Sequence, residues 1–157
     1  MINICFVCLG NICRSPLAEG VFKHLAGQAG RAAEFHVESA GTGGWHVGEA
    51  PDLRSQRVAL AHGIRLESHA QQFRAQDFAR FDRVLALDGE IASDLRHLAP
   101  SAAARAKIHL LREYDAEADG NHDVPDPYYG GPDEFERVYA MVERGCAGLL
   151  KELIAPR

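Results

Sequence analysis

Ile2-Asn3-Ile4-Cys5-Phe6-Val7-Cys8-Leu9-Gly10-Asn11-Ile12-Cys13-Arg14-Ser15-Pro16 opens the chain and decides how the rest is read. Its first part, Ile2 to Val7, is almost continuously apolar, as a strand buried on both faces of a parallel sheet must be. The run stops at a glycine-containing loop, and a helix follows at once. Ser15 reads as its cap and Pro16 suits its first turn. Leu17, Ala18, Val21, Phe22 and Leu25 then recur on one face until Gly27 and Gly30 close it.

The same alternation continues outward from this strand, loop, helix unit. Phe35 to Ser39 reads as a strand, Asp52 to His62 as a helix with Gly63 behind it, and Arg83 to Leu87 as a third strand. A helix near Glu90 to Leu98 precedes a fourth strand at Lys107 to Leu111. The Ala-rich stretch Ala99 to Ala106 between them reads as a helix end and a turn. A last long helix carries Phe135, Val138, Val142, Cys146, Leu149 and Leu153 along one stripe, the mark of a core-facing side. Strands alternating with helices predict a parallel α/β sheet. Two stretches rich in Gly, Pro and Asp, Ala40 to Pro51 and Arg112 to Pro132, read as long loops, and loops of that length in a compact domain often carry function.

Bulk properties narrow the class. With 157 residues, 46% of them hydrophobic, the chain can bury one real core and has no room for a second full domain, so residues 1–157 are expected to form one. Four cysteines (Cys5, Cys8, Cys13, Cys146) are too few for a secreted disulfide scaffold in such a chain and point to reduced thiols. A net charge of -5 offers no basic face for nucleic acid. No apolar run is long enough to span a bilayer, and the start lacks the features of a secretory leader, so the expected location is the cytoplasm. Eight histidines invite a zinc reading, but none pairs with the cysteines at ligand spacing, and no metal or other cofactor is expected.

The loop from Cys8 to Pro16 sits where open α/β sheets bind ligands, beyond the end of a strand. Its backbone N–H groups, with a helix N-terminus behind them, form an anion site suited to phosphate. Gly10 lets the backbone come close, and Asn11 tolerates the left-handed conformation a tight cradle needs. A cysteine at the mouth of the cradle meets the helix dipole, several N–H donors and the guanidinium of Arg14, all of which favour thiolate over thiol. Arg14, six residues on, can return to the same anion and grip two of its oxygens with a planar fork. Thiolate attack on a phosphate monoester also needs an acid for the departing oxygen. Asp126, held between Pro125 and Pro127, is the candidate, although composition alone reads it equally well as a turn aspartate.

Cys8-x5-Arg14-Ser15 resembles the signature of the low-molecular-weight protein-tyrosine phosphatases of bacterial type. Ser39-Ala40-Gly41-Thr42, Asp126-Pro127-Tyr128-Tyr129-Gly130 and the total length resemble that family as well. The resemblance implies a three-layer, phosphotyrosine protein phosphatase I-like fold with a four-stranded parallel sheet in the order 2-1-3-4. It also implies a metal-independent hydrolase working through a cysteinyl-phosphate on Cys8. Asp126 would protonate the leaving phenol and then act as base for water, and Ser15 would hydrogen-bond the sulfur. Leu9, Gly10, Asn11, Ile12 and Cys13 would complete the cradle, braced by Asn11, Ser39 and His69. The segment Ser68 to Phe73 departs from the pattern, since Gln71 stands where the family commonly has arginine.

Trp45 and Tyr128 would flank the opening and sandwich a phenyl ring, against a plainer reading as loop packing. Ile12 favours phosphotyrosine, because related protein-arginine phosphatases carry threonine there. The implied partners are phosphotyrosine proteins, a tyrosine kinase among them, and phosphate or other oxyanions in the loop, with neither nucleic acid nor membrane. Cys13 lies close enough in sequence to pair reversibly with Cys8, as the family pattern implies, while Cys5 and Cys146 read as core. Three other functions compete. A thiol-dependent arsenate reductase needs relay cysteines that are missing between Cys13 and Cys146, a protein-arginine phosphatase is disfavoured by Ile12, and a noncatalytic phosphate reader would be expected to have lost Cys8 or Asp126. The role of Asp88, at a strand end, stays open between supporting the loop and lining the substrate rim.

Overall fold

The structure is a computed structural model that describes residues 1–156. Four strands form one parallel sheet, β1 (Ile2–Cys8), β2 (Phe35–Gly41), β3 (Arg83–Ala86) and β4 (Ile108–Leu110), in the order β2-β1-β3-β4. The helices are α1 (Arg14–Gln28), α2 (Leu53–Ala61), α3 (Gly89–Leu98), α4 (Ala102–Arg105) and α5 (Pro132–Ile154), with 3₁₀ turns at Ala32–Glu34, Ala75–Ala79 and Leu111–Tyr114. The expected fold class and strand order are both met.

Two cores flank the sheet, and β1 feeds both through its two-residue alternation. Ile4, Phe6 and Cys8 point into the larger core with α1, α2 and α5, where Phe22 packs between Phe6 and Phe35 at ring separations of 5.9 and 5.2 Å. Cys5 and Val7 point the other way, against Ile91 and Leu95 of α3 and the cluster Phe73, Phe78 and Phe81. Burial on both faces is why the strand reads as an unbroken apolar run. The stripe on α5 is core as expected, with Phe135, Val138, Val142, Cys146 and Leu149 buried and Leu153 packed at its margin.

Local signals place α2 and α3 well. Asp52 caps α2 by accepting from the Arg54 N–H at 2.8 Å, and Gly63 follows the helix with φ +80°. Asp88 caps α3, accepting from the Ile91 N–H at 2.8 Å. Three expectations need correction. Ser15 does not cap α1, because the helix starts at Arg14 and the serine hydroxyl is drawn beneath the loop. Gly27 lies inside α1, and the turn that ends it is made by Gly30 at φ +71°. Ala102–Arg105 form a short helix rather than a simple turn, since the Ser101 hydroxyl accepts from the Ala104 N–H at 3.1 Å.

β1 has β2 on one side and β3 on the other, so successive crossovers leave it in opposite directions. The crevice beyond its carboxyl end is the topological switch point where open α/β sheets bind ligands. Cys8 is the last residue of β1, beside Gly41 of β2.

Candidate active site

Past Cys8 the chain curls through Leu9 to Cys13 and enters α1 at Arg14, so the first amides of a 15-residue helix face the loop. Asn11 makes the turn with φ +57°, the left-handed conformation expected of it. Cys8, Leu9, Gly10, Ile12, Cys13 and Arg14 line a cleft of about 300 Å³ whose other walls are Trp45, His46, Asp126, Tyr128 and Tyr129. The expected nucleophile, cation, acid and both aromatic flanks therefore share one cavity.

Beneath the loop runs a directed chain of hydrogen bonds. The Ser39 hydroxyl donates to Glu19 Oε1 at 2.7 Å, which leaves Ser39 Oγ to accept from Asn11 Nδ2 at 2.9 Å. Asn11 Nδ2 also donates to Ser15 Oγ at 2.7 Å, and Ser15 Oγ lies 2.9 Å from Cys8 Sγ. With its oxygen occupied as an acceptor, Ser15 has one hydrogen to offer, to the sulfur or to the more distant Ala40 carbonyl at 3.3 Å. The sulfur is the nearer of the two. The acceptor at the far end, Glu19, is buried and held by Lys23 Nζ at 2.7 Å. Asn11 Oδ1 in turn accepts the Gln71 N–H at 3.0 Å, tying the loop to the neighbouring segment.

His69 does not join this network. It is exposed, and the backbone of Gln71 takes the bracing position, while the Gln71 side chain donates to Ser39 O and Glu38 Oε1, each at 2.9 Å. An amide two residues along supplies what the imidazole was expected to supply.

Arg14 is aimed into the cleft by a partly buried carboxylate. Its Nη1 donates to Asp88 Oδ2 at 2.6 Å and to the Val124 carbonyl at 2.9 Å, while Nη2 stands 4.0 Å from Asp126 Oδ2. Burial opposes charge on this guanidinium, but Cys8, Asp88 and Asp126 outweigh it and raise its pKa. Asp88 is thus a support for Arg14 as well as a helix cap. The loop bearing Asp126 is pinned at its base by Arg112 and Arg144, which both hold the buried carboxylate of Asp115. At the tip, Asp126 Oδ1 accepts the Tyr128 N–H at 3.0 Å, and Tyr128 meets Tyr129 edge-on at 5.0 Å. Trp45, 71% exposed, lines the same cleft.

The four thiols are free and differ sharply in setting. Burial, reinforced by Asp52, Cys8 and Asp126, pushes the Cys13 thiol up to about 12. Cys5 and Cys146 are wholly buried and also raised by desolvation, and Cys146 Sγ donates to the Ala18 carbonyl at 3.6 Å, far from a relay position. Sequence reasoning missed Glu19, the acceptor end of the chain, and Arg54, whose Nη1 donates to the Tyr128 carbonyl at 2.7 Å. One signal was available: Glu19 is a carboxylate one turn after Ser15, directly beside the core positions Ala18 and Phe22.

Comparison with known proteins bears on the same region and on the whole chain. The low molecular weight phosphotyrosine protein phosphatase family matches residues 3–156. A low molecular weight protein-tyrosine-phosphatase of Streptomyces coelicolor is 51% identical over 149 residues, covering 94% of this chain and 91% of the relative. A protein tyrosine phosphatase crystal structure from Entamoeba histolytica, with Hepes in its active site, superposes with a TM-score of 0.93 at 33% identity, over 98% of this chain and 97% of the other. A Drosophila arginine phosphatase superposes with a TM-score of 0.90 at 31% identity, over 98% and 99%.

Proposed function

The chain belongs to the low molecular weight phosphotyrosine protein phosphatase family, and from that premise we propose that it hydrolyses phosphotyrosine with Cys8 as nucleophile, Arg14 as phosphoryl clamp and Asp126 as acid and base. The observation that carries this reading is the convergence of these three side chains on one cleft, with a hydroxyl 2.9 Å from the sulfur.

In the first step the Cys8 thiolate attacks phosphorus, the S–P bond forms, and the ester P–O bond breaks as Asp126 gives its proton to the phenol oxygen. The loop amides and Arg14 hold the equatorial oxygens, whose charge needs positioned donors more than covalent chemistry. In the second step Asp126, now a carboxylate, takes a proton from water, whose oxygen attacks phosphorus. The S–P bond breaks, phosphate leaves, and Ser15 stabilises the returning thiolate. Leu9, Gly10, Asn11, Ile12 and Cys13 shape the cradle, Ser39 braces it, and Trp45 and Tyr128 hold the phenyl ring, whose length reaches the sulfur where phosphoserine falls short.

The substrates are phosphotyrosine proteins, and a tyrosine kinase carrying such residues fits that class. We place the activity in the cytoplasm, within a single domain; among the described residues no helix is long and apolar enough to cross a membrane. The similarity to an arginine phosphatase makes phosphoarginine the necessary comparison, and Ile12 on the cleft wall favours the aryl ester. The test is phosphate release from a phosphotyrosine peptide at mildly acidic pH, beside phosphoserine and phosphoarginine peptides, for the native protein and Cys8→Ser. Turnover of the tyrosine ester alone, abolished in a folded Cys8→Ser, supports the reading. No turnover of any ester with Cys8 reduced overturns it.

A further inference from the structure

The acid and the nucleophile are carried by separate loops, and the first turn of α2 touches both. The Asp52 N–H donates to the Ile12 carbonyl at 2.8 Å and the Ser55 hydroxyl to the Cys13 carbonyl at 3.2 Å, so this turn grips the nucleophile loop from outside. From the same turn Arg54 reaches the acid loop. Its Nη1 donates to the Tyr128 carbonyl at 2.7 Å and leans towards the Gly130 carbonyl at 3.5 Å. Its Nε and Nη2 pair with both oxygens of Asp52, at 3.0 and 2.9 Å, which fixes the guanidinium plane. The Arg54 Cζ also lies over the rings of Tyr128 and Phe135, 5.3 and 4.6 Å from their centroids.

We propose that Arg54 is a positioning residue for the acid step, a strap that registers the loop bearing Asp126 against the loop bearing Cys8. The connection runs from Ile12 through Asp52 and Arg54 to the Tyr128 carbonyl, and from the Tyr128 N–H to the Asp126 carboxylate. Asp126 itself is exposed, and its nearest cation among the described residues, Arg14, is 4.0 Å away, so direct contact with the cradle does not set where its proton is delivered. A general acid works only within hydrogen-bond reach of the departing oxygen, and small misplacements are costly. Only arginine fits the strap, because one group must make a two-oxygen pair, a carbonyl bond and two ring contacts at once.

The inference rests on Asp126 as the acid, and its test separates the two. kcat/KM is measured for 4-nitrophenyl phosphate, whose leaving group departs without help, and for phenyl phosphate, whose leaving group needs a proton, in native protein, Arg54→Met, Arg54→Lys and Asp126→Asn, with the melting temperature of each. The expected result is a loss in Arg54→Met on the order of tenfold larger for phenyl than for 4-nitrophenyl phosphate, in the same sense as Asp126→Asn, with Arg54→Lys in between. Should Arg54→Met fail to fold, Arg54→Lys, which keeps the charge and loses the fork, carries the same comparison. Equal losses on the two esters in the folded arginine variants, beside a selective loss in Asp126→Asn, overturn the strap alone. Equal losses in Asp126→Asn as well overturn the acid assignment and the strap with it.

Discussion

Asp88 holds the cation of the site, and replacing it separates its two duties. Asp88→Asn keeps an oxygen for the Ile91 N–H, so the α3 cap survives, but it turns an amide towards Arg14 Nη1, donor against donor. The guanidinium, 4% exposed, then keeps the Val124 carbonyl at 2.9 Å and Asp126 at 4.0 Å as its partners. Loss of a charge-assisted hydrogen bond costs about 1.5–3 kcal/mol, and breaking a fully buried pair about 3–5. With two partners remaining and Asp88 itself 20% exposed, the lower range applies, about 2 kcal/mol. For a chain of this size each kcal/mol moves the melting temperature by about 2–4 °C, so Asp88→Asn should melt about 4–8 °C below native. Asp88→Ala loses the cap as well, about 1 kcal/mol more, and should fall a further ~2–4 °C. Both variants should lose kcat on the order of tenfold as Arg14 loses its orientation. The assay is thermal unfolding by circular dichroism beside steady-state kinetics on an aryl phosphate. Melting within about 1 °C of native in both variants would refute the account of Asp88 as the support of Arg14.

A Cβ at Gly41 would lie 2.7 Å from the Leu9 carbonyl oxygen and 3.1 Å from the Asn11 nitrogen, both backbone. Gly41→Ala should therefore push the cradle out of shape, cutting kcat/KM at least tenfold while overpacking costs about 1–3 kcal/mol in urea unfolding; full activity would contradict the tight approach of β2 to the loop. Burial works to raise the Glu38 carboxyl, but hydrogen bonds from His36, Gln71 and Arg80 hold it down at about 2. A lowered carboxylate contributes stability above its unfolded pKa and loses it as pH falls through the folded one, so this contribution should fade between about pH 4.5 and 2. Glu38→Gln should be the less stable protein near neutrality and converge on native in acid unfolding curves, and a constant difference across that window would count against the linkage.

Much of the site was legible because its chemistry is local. Cys8, Arg14 and Ser15 lie within one loop and the first turn of one helix, and the left-handed turn at Asn11 follows from what an asparagine tolerates next to Gly10. The cap residues Asp52 and Gly63 frame α2 for the same reason. The misreadings share the opposite cause. Ser15 looks like a helix cap in one dimension, but in three its hydroxyl is claimed by Asn11 and the Cys8 sulfur. His69 is close in sequence to the bracing segment, yet a parallel bridge between Gly41 and Gln72 brings the Gln71 N–H, not the imidazole, against Asn11.

By itself the sequence determined the alternating strands and helices, the loop at the end of β1, and the candidate nucleophile and cation within it, because periodicity, turn chemistry and short spacings act between residues that are neighbours along the chain. Tertiary structure alone decided which distant groups complete the site. Asp88 reaches Arg14 across 74 positions, Glu19 orients Ser39 across 20, and Arg54 meets the acid loop across another 74. These partners meet only once the order β2-β1-β3-β4 gathers the strand ends at one crevice, and once burial there makes an unpaired guanidinium or hydroxyl too costly to leave without a partner.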